Sequence, residues 1–183
     1  MAGLVQTATN PQSSPPPSAA PVQINPTAAD ISDPILQKIV AGVRAKIPDQ
    51  LKTPYMQVLV AGKKVMFSPQ TSRMMMQRLN APGSLIHNVA SGIADLMTVI
   101  YKESNRQMSL PAAMLACIEL MCEALDVAEK TTGVQMTTAI AAACAHATSM
   151  AVLQKFGIGP GAIEQSVAAG RQVVQQKKAG IGA

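Results

Sequence analysis

Glu119, Glu123 and Asp126 are the residues of this chain best spaced for joint chemistry. At i, i+4 and i+7 they share one face of a helix. Two carboxylates on one face can divide the work of an acid and a base, but no histidine stands near them in sequence; His87 and His146 are both distant. Like charges at this spacing repel by about 0.2–0.5 kcal/mol per pair, so the stripe calls for water or for a basic surface. The segment from Lys38 to Arg78 offers eight Lys or Arg against one acid, Asp49. The carboxylates are therefore expected as a solvated face, or as a contact to another helix or subunit, and not as a catalytic set.

The remaining reactive residues assemble no site. Cys144 and His146 could be two ligands of a metal, but no second ligand pair with metal-site spacing exists, so neither metal nor cofactor is expected. With Ser149 they also lack the acid that would complete a nucleophilic triad. Cys117 and Cys122 are five residues apart on an expected helix, roughly 7.5 Å along its axis and beyond comfortable disulfide reach. All three cysteines are read as buried thiols of a reducing compartment. The Gly157–Gly161 run lacks the preceding strand of a phosphate loop, and Pro160 removes an N–H from any cradle; it reads as a hinge between helices. His87 should lie at the surface, and His146 should bond to a backbone carbonyl or a threonine. Met74, Met75 and Met76 cover most of a helix circumference, either as pliable core or as a protein-binding patch.

These residues require helices to hold them. Of 183 residues 48% are apolar but only 2% aromatic, with 12 Met and no Trp. Sheets draw on aromatic and β-branched residues, and deep ligand pockets on aromatics; both are disfavoured. Asp33-Pro34, Thr53-Pro54 and Ser68-Pro69 each set a capping oxygen before a proline at the first helical position. They predict helices over 34–46, 54–67 and 69–80, with a hairpin as the alternative for the second. Helical spacing predicts another after Ser84, one over 110–130 and one over 162–178. The fold class is all-α: a compact bundle of about six helices over 33–178, with a short flexible tail at 179–183.

Between Lys130 and Lys155 run 24 residues without Asp, Glu, Lys or Arg. An isolated helix normally keeps a charged, solvated face, so the expected helix 134–156 should be the most deeply buried. Ala139, Ala143, Ala147 and Ala151 would form the ridge on which another helix backbone comes close. The alternative is a membrane-active helix, although Thr, Ser, Gln and His oppose insertion. Residues 1–32 hold six of the 13 prolines and one charge, Asp30. They predict a flexible or extended arm, with Leu4, Val5, Val22 and Ile24 able to dock on a neighbour. The opening MAGLVQTATNPQSS has neither the basic nor the apolar region of a signal peptide.

With its Pro/Ser arm from Ser13 to Pro21, its Met- and Ala-rich helical body and its lack of a catalytic constellation, the chain resembles the small accessory virion proteins of tailed bacteriophages. The resemblance is one of composition. It implies a structural part of a head, neck or tail, or a protein ejected with the genome, found in the virion or the host cytoplasm. It carries over no functional residue. The expected function is structural or assembly work without enzymatic activity, with copies of itself and other proteins of a larger assembly as partners. Membrane contact and nucleic-acid binding through the basic segment 38–78 are the lesser alternatives, the latter weakened by a lack of aromatics and only three Arg.

Overall fold

The computed structural model describes residues 31–159 and 161. They form six helices and, among the described residues, no strand: α1 Pro34–Arg44, α2 Asp49–Met66, α3 Pro69–Leu79, α4 Leu85–Glu103, α5 Leu110–Thr132 and α6 Thr138–Lys155. The all-α bundle expected from composition is the fold observed. The expected arm, the 162–178 helix and the 179–183 tail lie outside the described residues, apart from Ile31 and Ser32. Those two belong to the body: Ile31 is buried in the core and Ser32 is bonded to α5.

Two of the three proline starts cap as expected. The Asp33 carboxylate accepts from the Ile35 and Leu36 amides at 2.8 and 2.9 Å, and the Ser68 hydroxyl accepts from the Thr71 amide. The third does not. α2 begins at Asp49, five residues before Pro54, so Thr53 is no cap. Pro54 lacks only the amide that would have reached the exposed Gln50 carbonyl. Asp49 supplies the negative charge that favours a helix start, and it is paired with Lys52 at 2.7 Å. No hairpin forms in this segment.

α5 is the hub. It touches α1, α2, α4 and α6, and residues 119–128 are buried without interruption. A helix that buries every side must be approached closely, and Ala112, Ala113, Ala116, Ala124 and Ala128 leave room for its neighbours. α2 approaches through Gly62, which sits against Leu120. α5 ends where Gly133 takes the left-handed conformation at φ 72° and closes the last turn onto the Glu129 carbonyl.

The uncharged run is not the centre of the bundle. α6 starts at Thr138, later than expected, because Thr137 caps it through the Ile140 amide. The Glu129 carboxylate also holds the Met136 amide in the connecting segment. α6 lies chiefly on α4 and secondarily on α5. Its buried face is Ala141, Cys144, Thr148 and Val152. Ala139 and Ala143 of the expected ridge are exposed, and Ala147 and Ala151 are half-buried. Thr, Ser, Gln and Ala tolerate water without a charge, so an uncharged helix can keep a wet face. No described helix is long and apolar enough to cross a membrane.

A sealed carboxylate row and an open methionine groove

The three carboxylates of α5 are not solvated. Glu119, Glu123 and Asp126 are each 1–2% exposed, so the helix-contact reading holds and the solvated face does not. The basic segment meets the first two. From α1, the Arg44 guanidinium donates to Glu119 through Nε at 2.9 Å and Nη2 at 2.5 Å. From α2, the Tyr55 hydroxyl donates to the same carboxylate. Lys63 reaches both acids, its Nζ 3.7 Å from Glu119 Oε1 and in direct ion contact with Glu123. Gly62 makes this possible: without a Cβ at 62 the two helices come near enough for the next residue to reach α5.

The two glutamates differ in environment. Burial alone would push the Glu119 carboxyl up, but the bonds from Arg44 and Tyr55 outweigh it and hold its pKa below the usual value. Burial also drives Glu123, and there it wins over Lys63, so this pKa is raised. Both Glu123 oxygens lack an aligned hydrogen bond among the described residues; the lysine touches Oε1 off the line that such a bond needs. Tyr55 is likewise pushed up by burial and by the Glu119 charge. Arg44, Tyr55 and Lys63 thus converge on two carboxylates that are shielded from solvent, while the Arg44 and Lys63 side chains keep partial exposure.

Asp126 has a different task. It accepts from the Ser32 amide and hydroxyl, each at 2.8 Å, and from the Asp33 amide at 3.2 Å, while Lys130 one turn on bonds to its second oxygen at 2.5 Å. Burial raises its pKa, but Lys130 and Ser32 outweigh that and bring it below the usual aspartate value. The start of α1, where the N-terminal segment enters the body, is thus fastened to the central helix.

The cysteines are buried free thiols. Burial pushes Cys117 and Cys122 up to about 12 and Cys144 to about 11, which makes them poor nucleophiles at neutral pH. His87 is at the surface as expected. His146 is exposed too, on the outer face of α6, and makes no bond to a threonine or carbonyl among the described residues. No group of three His, Cys, Asp or Glu suited to a metal occurs among the described residues.

A groove of about 290 Å³ lies between α3 and α4, floored by the end of α2 and Ala124 of α5. Met74 and Met75 line it, opposite Gly92, Leu96 and Val99. Met75 and Met76 pack against the core, the core role expected of the cluster, while Met74 is exposed. The rim carries Asp95, which accepts from Arg78 of α3 and from Lys155 of α6, each at 2.9 Å. These half-exposed pairs contribute little stability; they tie three helices at one edge of the groove.

Of the residues singled out in the sequence, the structure joins Glu119, Glu123 and Asp126 into one buried row and places Met74 and Met75 together in the groove. It leaves the alanine ridge apart from both. Leu4, Val5, Val22 and Ile24 lie outside the described residues. Arg44, Tyr55 and Lys63 are not singled out by their own sequence context, although the basic segment 38–78 is the expected supplier of such partners; Lys130 is not pointed to by that segment. Comparison of the chain with protein-family models, with curated proteins and with solved structures finds no match.

Proposed function

We propose that this chain is a structural or assembly protein without a reaction of its own. In this reading it is a virion component of a tailed phage that forms homo-oligomers, or docks on a larger complex, through its N-terminal arm and its helix faces. The observation that carries the proposal is a contrast between interior and surface. The buried carboxylates of α5 are committed within the bundle: Glu119 and Glu123 to α1 and α2, and Asp126 to Lys130 of its own helix and to Ser32 and Asp33 ahead of α1. Two open surfaces carry little charge: the methionine groove, with Arg78 and Asp95 at its rim, and the outer face of α6. Groups so committed are suited to hold a bundle together, and such open surfaces are suited to contact other proteins.

Light scattering of the purified chain tests this reading. An oligomer that is lost with Ala143→Glu, while circular dichroism stays helical, supports assembly through α6. A monomer at every concentration that also binds no protein of its assembly would refute it. The exposed, uncharged face of α6 also favours a second reading, a helix that associates with lipid after release from the bundle. Co-flotation with liposomes, abolished by the same substitution, would select it.

A further inference from the structure

Resting on the assembly reading above, we propose that copies of this chain join head to tail, the outer ridge of α2 in one copy seating in the methionine groove of the next. Four large apolar side chains are strongly exposed among the described residues, and they fall into two pairs. Met56 at 50% and Val60 at 59% stand one turn apart on the outer side of α2, about 6 Å along its axis. Neither lines the groove. The other pair, Met74 at 62% and Val99 at 41%, does. One pair projects and the other borders a hollow.

The packing of α3 on α4 brings the second pair together. Asn88 donates to the Ala81 carbonyl at 3.1 Å and Arg78 donates to Asp95 at 2.9 Å, so the two helices run antiparallel. Met74 stands one turn before Arg78 and Val99 one turn after Asp95; they therefore flank the same end of the groove. Further in, the Arg78 side chain lies over Gly92, its Cδ 3.3 Å from where a Cβ would stand. Room for an incoming side chain is thus at the Met74–Val99 end.

Charge sets the direction. Lys64 follows Val60 by one turn on α2, and Glu103 follows Val99 by one turn on α4. Both are exposed, and neither has an ion pair among the described residues. With the ridge laid parallel to α4 of the neighbour, Val60 meets Val99 and Lys64 meets Glu103, while Met56 falls one turn back beside Leu96 and Met75. Pairing of the ridge with itself about a two-fold axis would instead oppose Lys52 to Lys64, which like charge disfavours. A ridge that fits a hollow elsewhere on the same molecule makes a heterologous contact, and such contacts build rings or filaments.

Sedimentation velocity of the full chain and two variants tests this. Val60→Asp spoils the ridge and Met74→Asp the groove; both positions are exposed, so helix content and melting temperature should stay as they are. Each variant alone should self-associate about tenfold more weakly or worse, because its new charge is buried unpaired in the contact. Mixed in equal amounts, the two should form a one-to-one pair, since each keeps the half that the other lacks. Val60→Lys and Met74→Lys repeat the test, so that loss of fold in one variant does not decide it. A variant that alone associates like the unaltered chain would overturn the contact and leave assembly through another surface standing. A mixture that associates no better than its components would overturn it as well. An unaltered chain that stays monomeric at every concentration sinks the contact together with the homo-oligomer.

Discussion

Gly62 and Leu120 stand so close that position 62 has no room for a side chain: a Cβ there would lie 2.4 Å from Leu120 Cδ1 and 3.0 Å from Cδ2. Leu120 is fully buried, so shifting its tip would displace packed neighbours. Gly62→Ala should therefore destabilise by about 1–3 kcal/mol through overpacking, despite the better helix propensity of alanine. Combined with Leu120→Ala, the double variant should be more stable than the two single losses predict, by about 0.5–3 kcal/mol. Urea melts of the four proteins check this, and simple additivity would mean that the contact is not the cause.

Glu119 and Glu123 are one turn apart and equally buried, yet their removal should have unequal effects. Glu119→Gln leaves Arg44 without its counter-charge, while Lys63 keeps Glu123. Breaking a buried pair costs about 3–5 kcal/mol, and the half-exposed Arg44 places the expected loss near 3 kcal/mol or below. Glu123→Gln removes a carboxylate that has no aligned hydrogen bond and should be nearly neutral at pH 7. Equal losses in chemical denaturation would contradict the division between an anchored and an unsatisfied carboxylate.

The same groups give stability a dome against pH. Glu123 has its folded pKa raised above the ordinary 4.5, so the folded state binds its proton more tightly. Stability from this group therefore grows as pH falls through the folded pKa towards 4.5. Glu119 and Asp126 are depressed below 4.5 and 3.8. Their contributions are complete above those values and disappear as pH falls through the folded pKa. The maximum should lie on the mildly acidic side of neutrality and above 4.5. Thermal melts across pH should show it, and Glu123→Gln should flatten the rise between neutrality and the maximum. A curve unchanged by that substitution would place the titration elsewhere.

The body begins two residues earlier than composition marks it. Removing residues 1–30 should leave the melting temperature nearly unchanged. Removing 1–32 deletes the buried Ile31 and two of the bonds to Asp126. That truncation should cost about 2 kcal/mol more, from one apolar side chain and unmet acceptor capacity. Calorimetry of the two truncations decides it; identical melting temperatures would return the boundary to Asp33.

Much of this architecture was legible in the sequence because it is written in local chemistry. Asp33 and Ser68 cap as their side chains dictate, and Gly133 ends α5 as a left-handed residue should. Burial was harder to read, and for one reason in two places. A charged stripe is compatible with a wet surface or with a contact, and the α5 carboxylates meet their counter-ions inside the bundle. Arg44 and Lys63 lie 75 and 56 residues away from Glu119 in sequence, and only packing reveals the pairing. Absence of charge points to the interior, but α6 keeps Ala139 and Ala143 exposed. Thr53-Pro54 misled in a third way: proline tolerates the second turn of a helix when the carbonyl it displaces faces solvent.

The bonds from Ser32 and Asp33 to Asp126 also fix how a mechanical load would travel. Tension on the N-terminal segment is passed at Ser32 to the side chain of the most enclosed helix, ahead of the first turn of α1. A chain pulled from its N-terminal side would thus be gripped at its keystone, and α1 need not unwind before the bundle as a whole resists.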